Sequence, residues 1–208
     1  KYSIPETVGV QGSNEADIPT MELNDAFEEN DKRKIVNMRT HYTNFQNGKE
    51  LVSSIPLFGK YWQEGISAAK FCEINMHIIR YSDALLMYAE ALNEVGESVK
   101  AHEVLNRVRE RAFGDSSGNY SGLSKDAFRQ AILEERFLEF PIEGHRWFDL
   151  VRMGVFVTRM KEHSAYEASI AENNKTDIAK NIKDHLILMP IPQRELDLNP
   201  ELNQNPGW

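Results

Sequence analysis

The feature that most constrains the fold is a change of pattern at residue 75. The stretch "NMHIIRYSDALLMYAEALNEV" places Ile78, Tyr81, Leu85, Tyr88, Ala89 and Leu92 at steps of three and four. That spacing lines one face of an α-helix, whereas a strand would alternate every second residue. Gly96 ends the run, and Ser98 can cap a second helix over "VKAHEVLNRVRERA". The pattern predicts a helical hairpin over 75–112. Its spacing compares with the tetratricopeptide pattern W-x2-L-G-x2-Y followed by A-x3-F. Aligned on Gly96, the chain supplies Leu85, Tyr88, Ala89 and Leu92, then Ala101 and Leu105. The residue types deviate but the sizes agree, with small Ala89 and Ala101 permitting a close crossing. One such repeat cannot bury both of its faces, so neighbours are required. A second copy aligned around Gly144 fits poorly, because Asp149 falls on a small-residue slot.

Around this hairpin the pattern is looser. Residues 1–18 read as loop or short edge strands. "PTMELNDAFEEND" begins a helix with Thr20 as N-cap and a face of Met21, Leu23, Ala26 and Phe27. Residues 31–74, broken by Gly48, Gly59 and Gly65, read as loops and short strands. After the turn-rich "GDSSGNYSG", Leu123 and Phe128 flank Ser124 with the spacing of a hydrophobic staple around an N-cap. The helix that follows runs to about Phe140 and is stopped by Pro141. Another starts near Glu143 and carries Trp147, Phe148, Leu150 and Val151. The tail "HLILMPIPQRELDLNPELNQNPGW" is an apolar run followed by a turn-rich end. The expected fold class is mainly α, with tetratricopeptide-like helical hairpins and loop-rich, short-strand insertions. Residues 1–74 form a loop-rich segment with one short helix, and residues 75–208 a helical region.

Charge and composition narrow the partners. Net charge is −8, and no block of lysine and arginine offers a phosphate-binding surface, which disfavours nucleic acid. No apolar run approaches the roughly 20 residues that span a bilayer. The opening "KYSIPETVGVQGSNEADIP" has no basic start and no apolar core, so it reads as no signal peptide. Cys72 is the single cysteine; it excludes an internal disulfide and reads as a buried thiol.

The stretch "EERFLEFPIEGHRWFDLVRMG", residues 134–154, is dense in chemistry. Glu135 and Glu139 lie four apart on one helix face and could pair for acid–base work. Glycosidase carboxylates must instead oppose each other across a bond, roughly 5 to 9.5 Å apart. His145 and Asp149 could share a metal, but the di-metal bundle uses Glu-x-x-His twice, and "EGH" occurs once with the wrong spacing. A structural reading uses every residue. Arg136, Arg146 and Arg152 pair with Glu135, Glu139 and Asp149, while Phe137, Phe140, Trp147 and Phe148 supply apolar surface. That reading, an ionic lock between packed helices, is preferred. The chain lacks G-x-S-x-G, G-x-x-x-x-G-K-[ST], H-E-x-x-H and G-x-G-x-x-G, and its six histidines are scattered. No catalytic residue, metal ligand or cofactor is assigned. Loop aromatics suit sugar rings, and Tyr61 and Trp62 in "GKYWQEG" are the candidate ligand-binding residues, with Tyr42 and Phe45 in a similar setting.

Four stretches in order, "IIRYSDALLMYAEALNEVG", "LNRVRERA", "LEERFLEFPIEGHRWFDLVRMG" and "LMPIPQRELDLNPELNQNPGW", resemble the C-terminal part of the SusD/RagB family of glycan-binding outer-membrane lipoproteins. "PTMELNDAF" and "DKRKIVNMRT" resemble the stretch just upstream, so the likeness runs from about residue 19 to Trp208. The resemblance implies a helical, tetratricopeptide-like scaffold displayed on the cell outer membrane of a Bacteroidota-type bacterium. It implies non-catalytic capture of an oligosaccharide or polysaccharide for uptake through a SusC-type TonB-dependent transporter. Family members are longer and carry a signal peptide and a lipid-bearing cysteine. This chain therefore resembles their C-terminal portion, and Cys72 does not match the lipid-bearing position. The alternative is a tetratricopeptide-type protein-interaction module without its own sugar site. If upstream repeats cover the hairpin, its outer face should be exposed here or paired with another copy.

Overall fold

The computed structural model describes the backbone of residues 18–43, 48–61, 74–170 and 178–208. The architecture is mainly helical with one pair of short strands among the described residues. The chain divides into two compact units, Lys1–Arg146 and Trp147–Trp208.

The first unit opens with α1 (Met21–Ala26), where the Thr20 hydroxyl accepts from the Leu23 amide at 3.2 Å. Leu23 and Phe27 turn inward with Met38 and Leu138, while Met21 stays largely exposed. A second short helix, α2 (Arg33–Asn37), adds to the one that the sequence pattern predicts for 1–74. Its start is fixed by Asp31, whose carboxylate accepts from both the backbone and the side chain of Arg33. The antiparallel strands β1 (Arg39–Thr43) and β2 (Glu50–Leu57) follow, with Tyr42 opposite Leu51 and an irregularity between Arg39 and His41. Tyr42 is buried and its hydroxyl donates to the Arg39 carbonyl, so it is a packing residue and not a loop platform.

The hairpin forms as the pattern predicts, from α3 (Tyr81–Glu94) and α4 (Ser98–Phe113) with Gly96 between them at φ 87°. Only glycine adopts that left-handed conformation at little cost. Ala89 and Ala101 are fully buried, consistent with a close crossing. Two details differ. The helix starts at Tyr81, because Arg80 is extended (φ −132°, ψ 168°) and its side chain reaches across to the Glu143 carboxylate and the Glu139 carbonyl. The inward face of α3 is Ser82, Asp83, Leu86, Ala89, Leu92 and Asn93. Ile78 and Tyr81 instead face out at 77% and 67% exposure, and Tyr88 is also exposed. The rotation is set by polar contacts. Asp83 accepts from Arg136 at 2.6 Å, and Asn93 donates to the Lys125 carbonyl at 3.0 Å.

Helix α5 (Lys125–Glu139) begins where Ser124 Oγ accepts from the Ala127 amide at 3.3 Å and ends before Pro141. Phe128, Ile132 and Leu133 carry its buried side, with Leu105 and Val108 buried on α4. His102 is structural, its ring bonding the Ser98 carbonyl and the Leu123 amide and packing edge-on against Phe128. The turn after α5 holds Ile142 at φ 59° and Gly144 at φ 80°. That reversal delays α6 (Arg146–Arg152), which the sequence places from about Glu143.

In the second unit, α7 (Phe156–Ile170) follows α6 after Gly154, and Trp147 meets Phe156 edge-on at 4.4 Å. Leu150 and Phe156 are buried, whereas Phe148 is 69% exposed and supplies no core. After α8 (Ile178–Asn181) and α9 (Gln193–Leu198), the tail folds back on residues 188–191 through side-chain amides. Gln204 accepts from the Ile191 amide at 2.8 Å and donates to its carbonyl at 2.9 Å. Asn205 and Trp208 donate to the Met189 and Leu188 carbonyls. No helix among the described residues is long and apolar enough to cross a membrane.

Candidate ligand site

The acids of α5 are locked, though by other partners than the nearest arginines. Glu135 is fully buried and accepts from Arg33 Nη1 at 2.7 Å and Arg109 Nη1 at 2.8 Å. Glu139 accepts from Arg33 at 2.9 Å, Arg80 at 2.5 Å and Arg111 at 2.5 and 2.6 Å. Glu143 receives Lys60 at 2.6 Å and Arg80 at 2.7 and 3.0 Å. Arg136 pairs with Asp83 instead, and Arg146 lies over the Phe137 ring and donates to the Leu133 carbonyl. Arg152 does take Asp149, at 2.9 Å. The expected lock exists. Its main cations, Arg33, Lys60, Arg80, Arg109 and Arg111, come from segments that the sequence reading did not connect to it.

Electrostatics follow from this crowding. Burial alone would raise the Glu139 carboxyl, but Arg111, Arg80 and Arg33 outweigh it and hold the group down to about 2. Glu143 is likewise lowered, with Arg80 and Lys60 overcoming its burial. A carboxyl so low stays ionised and cannot donate a proton as a general acid near neutral pH. The described oxygens of both Glu135 and Glu139 are already committed to guanidinium groups, which gives these residues a positioning role. Among the described residues no group of three or more His, Cys, Asp or Glu could hold a metal ion. His145 packs against Phe140 at 4.8 Å, and Asp149 is engaged by Arg152.

On one flank the network opens into a cavity of about 310 Å³. Tyr61 lines it, together with Asn37, His77, Arg111 and the Glu139–Arg80 pair. The Tyr61 hydroxyl is shifted upward, first by burial and then by the nearby Glu143 charge. Of the two aromatics singled out from sequence, Tyr61 reaches this cavity; Trp62, like Phe45 and Cys72, lies outside the described residues. Asn37, Arg80 and Arg111 were not identified from the sequence. Arg109 carried a usable signal, because it follows Leu105 and Val108 on the inward face of α4. For Arg33 and Arg80 no local pattern announces the role.

Comparison with known proteins follows the same outline. The sequence profile of the SusD family matches residues 55–208. SusD-like protein P25 of Formosa agariphila is 31% identical over 179 residues, covering 85% of this chain and 31% of the relative. The starch-binding protein SusD of Bacteroides thetaiotaomicron is 27% identical over 157 residues, covering 74% of this chain and 26% of the relative. This chain thus spans about a third or less of the curated relatives it matches. A crystal structure of a SusD homolog from Bacteroides thetaiotaomicron superposes with a TM-score of 0.74 at 24% identity, over 90% of this chain and 42% of that one, and speaks to the fold alone. Surface glycan-binding protein A from Bacteroides uniformis superposes with a TM-score of 0.56 at 26% identity, over 89% of this chain and 40% of that one. With the profile spanning most of its length and the helical architecture shared, the chain belongs to the SusD family.

Proposed function

We propose that this chain is the C-terminal portion of a non-catalytic glycan-capture protein. The whole protein would act at the outer-membrane surface and deliver oligosaccharide or polysaccharide to a SusC-type TonB-dependent transporter. The observation that carries this reading is the family match over residues 55–208. The chain's likeness to a starch-binding protein and to a surface glycan-binding protein agrees with it. Local geometry is compatible: the paired acids of α5 are committed to arginines, and an aromatic lines an accessible cavity. Membrane attachment would come through a lipid anchor. Tyr61 and Trp62 are the proposed ligand-contacting aromatics.

The test is retention of the chain and of the longer protein in gels cast with a broad polysaccharide panel. Retardation by at least one glycan supports capture; failure of both across glycans and peptides counts against it. Co-purification with a TonB-dependent transporter tests the partner. A glycan-degrading assay on the Glu135→Gln, Glu139→Gln double variant addresses hydrolysis: unchanged turnover would sink a role for these acids in it.

A second reading, an interaction module without its own sugar site, is favoured by one observation. Ile78, Ile79, Tyr81 and Tyr88 lie exposed at the start and along the outer side of α3. It requires that the chain capture a protein partner and that Tyr61→Ala, Trp62→Ala leave that capture unchanged.

A further inference from the structure

We propose that the cavity lined by Tyr61 and Arg111 takes a single acidic sugar unit, its carboxylate received by Arg111 and a hydroxyl by Asn37. This inference rests on the glycan-capture reading and names a site and a substrate class within it. At about 310 Å³ the cavity lies at the lower end of ligand pockets, roughly 300 to 1,000 Å³, which suits one ring more than a chain.

The lining residues differ in what they have left to offer. Lys60 spends its ammonium on the Glu139 and Pro141 carbonyls and the Glu143 carboxylate. Arg80 is spent on Ser82, Glu139 and Glu143. Arg111 is different. Among the described residues only its Nη2 is engaged, on both oxygens of Glu139, and its side chain is 57% exposed. Among the described residues its Nε and Nη1 have no acceptor. A guanidinium edge of this kind matches a planar carboxylate, through two parallel N–H···O bonds.

Asn37 supplies the opposite demand. It is 2% exposed, and its Nδ2 donates to the Arg33 carbonyl at 3.1 Å, which fixes the amide orientation. Its Oδ1 is buried without a partner. An orphaned acceptor of this kind is satisfied by a hydroxyl donor. The Tyr61 hydroxyl and the His77 ring also lack partners among the described residues, and both line the cavity. A simple anion would satisfy Arg111 but bring no hydroxyl to Asn37. A neutral sugar would do the reverse. A sugar bearing a carboxylate meets both demands, and its C–H surface can lie against the Tyr61 ring.

The experiment is saturation-transfer NMR with titration of the 208-residue chain against D-glucuronate and D-glucose, which differ in the carboxylate at C6. Glucuronate is expected to bind about tenfold more tightly, the effect of one charge-assisted contact. Arg111→Gln should abolish that preference, and Tyr61→Ala should weaken both sugars. Because Arg111 also touches Glu139, thermal midpoints confirm the fold. His77→Ala, a change at an exposed residue with no hydrogen-bond partner among the described residues, should lower glucuronate affinity independently. Equal affinity for the two sugars, or a folded Arg111→Gln that keeps the preference, overturns the acidic-sugar site. If neither monosaccharide binds while polysaccharides still retard the chain, this site falls and capture stands. If neither monosaccharides nor polysaccharides bind, both fall together for this chain.

Discussion

The centre of the first compact unit and the tail of the second are held by different chemistry. Lys1–Arg146 buries a charge network in which five cations converge on Glu135, Glu139 and Glu143. The tail of Trp147–Trp208 is fastened by neutral groups, the side-chain amides of Gln204 and Asn205 and the indole of Trp208. The difference teaches where each unit is vulnerable. A buried charge is tolerable only while its partners are present, so losing one partner costs more than the pair itself contributes. A neutral side-chain-to-backbone bond contributes about 0.5–1.5 kcal/mol and fails with little collateral damage.

The largest effect is expected at Glu135. Glu135→Ala leaves Arg33 and Arg109 facing each other in a buried site, and urea unfolding should show a loss of about 3–5 kcal/mol. A loss as small as that of a surface substitution would break the contrast between the units. The Asp83–Arg136 pair sharpens it. Arg136→Met alone should destabilise by about 3 kcal/mol or more, while adding Asp83→Leu should recover most of that loss, since no charge is then stranded.

Acid should separate the units next. The ordinary value for a glutamate is 4.5, and Glu139 is held to about 2 in the folded chain. A depressed carboxyl contributes stability that is fully present above its unfolded value and is lost as pH falls through the folded one. Urea midpoints followed between pH 5 and pH 2 should therefore drop, and the dependence should flatten in Glu139→Gln. The same dependence in that variant would assign acid sensitivity elsewhere.

Smaller effects belong to the tail and the surface. Gln204→Ala should cost about 1–3 kcal/mol for its two bonds to Ile191, read as faster hydrogen exchange at the Ile191 amide. Unchanged exchange would show that the clamp is not what orders the tail. At the solvent-facing cluster of Glu94 with Lys125 and Arg129, Glu94→Gln should leave the unfolding midpoint unchanged within error.

The helical framework was legible because its causes are local. Thr20 and Ser124 announce helix starts through the amides three residues on, Gly96 marks the hairpin turn and Pro141 a stop. The family resemblance was legible for the same reason, since it rests on ordered stretches of those local patterns. The face of α3 was misread because periodicity weighs apolar residues. The helix is in fact rotated to bury Asp83 and Asn93, which find partners on α5 and at its start. Tyr61 could be picked out as a loop aromatic, but nothing near it in the sequence points to Asn37 or Arg111 across the cavity.

By itself, then, the sequence determined where α1 and α5 begin, where the hairpin turns and where α5 stops, because capping, turn conformation and proline sterics act within four residues. Only the tertiary structure decided which charges meet. Glu139 takes Arg111, Arg80 and Arg33 from 28, 59 and 106 positions away. A buried carboxylate selects its partners by position in space, under the penalty for leaving any charge dry and unpaired, and that condition leaves no trace in local spacing.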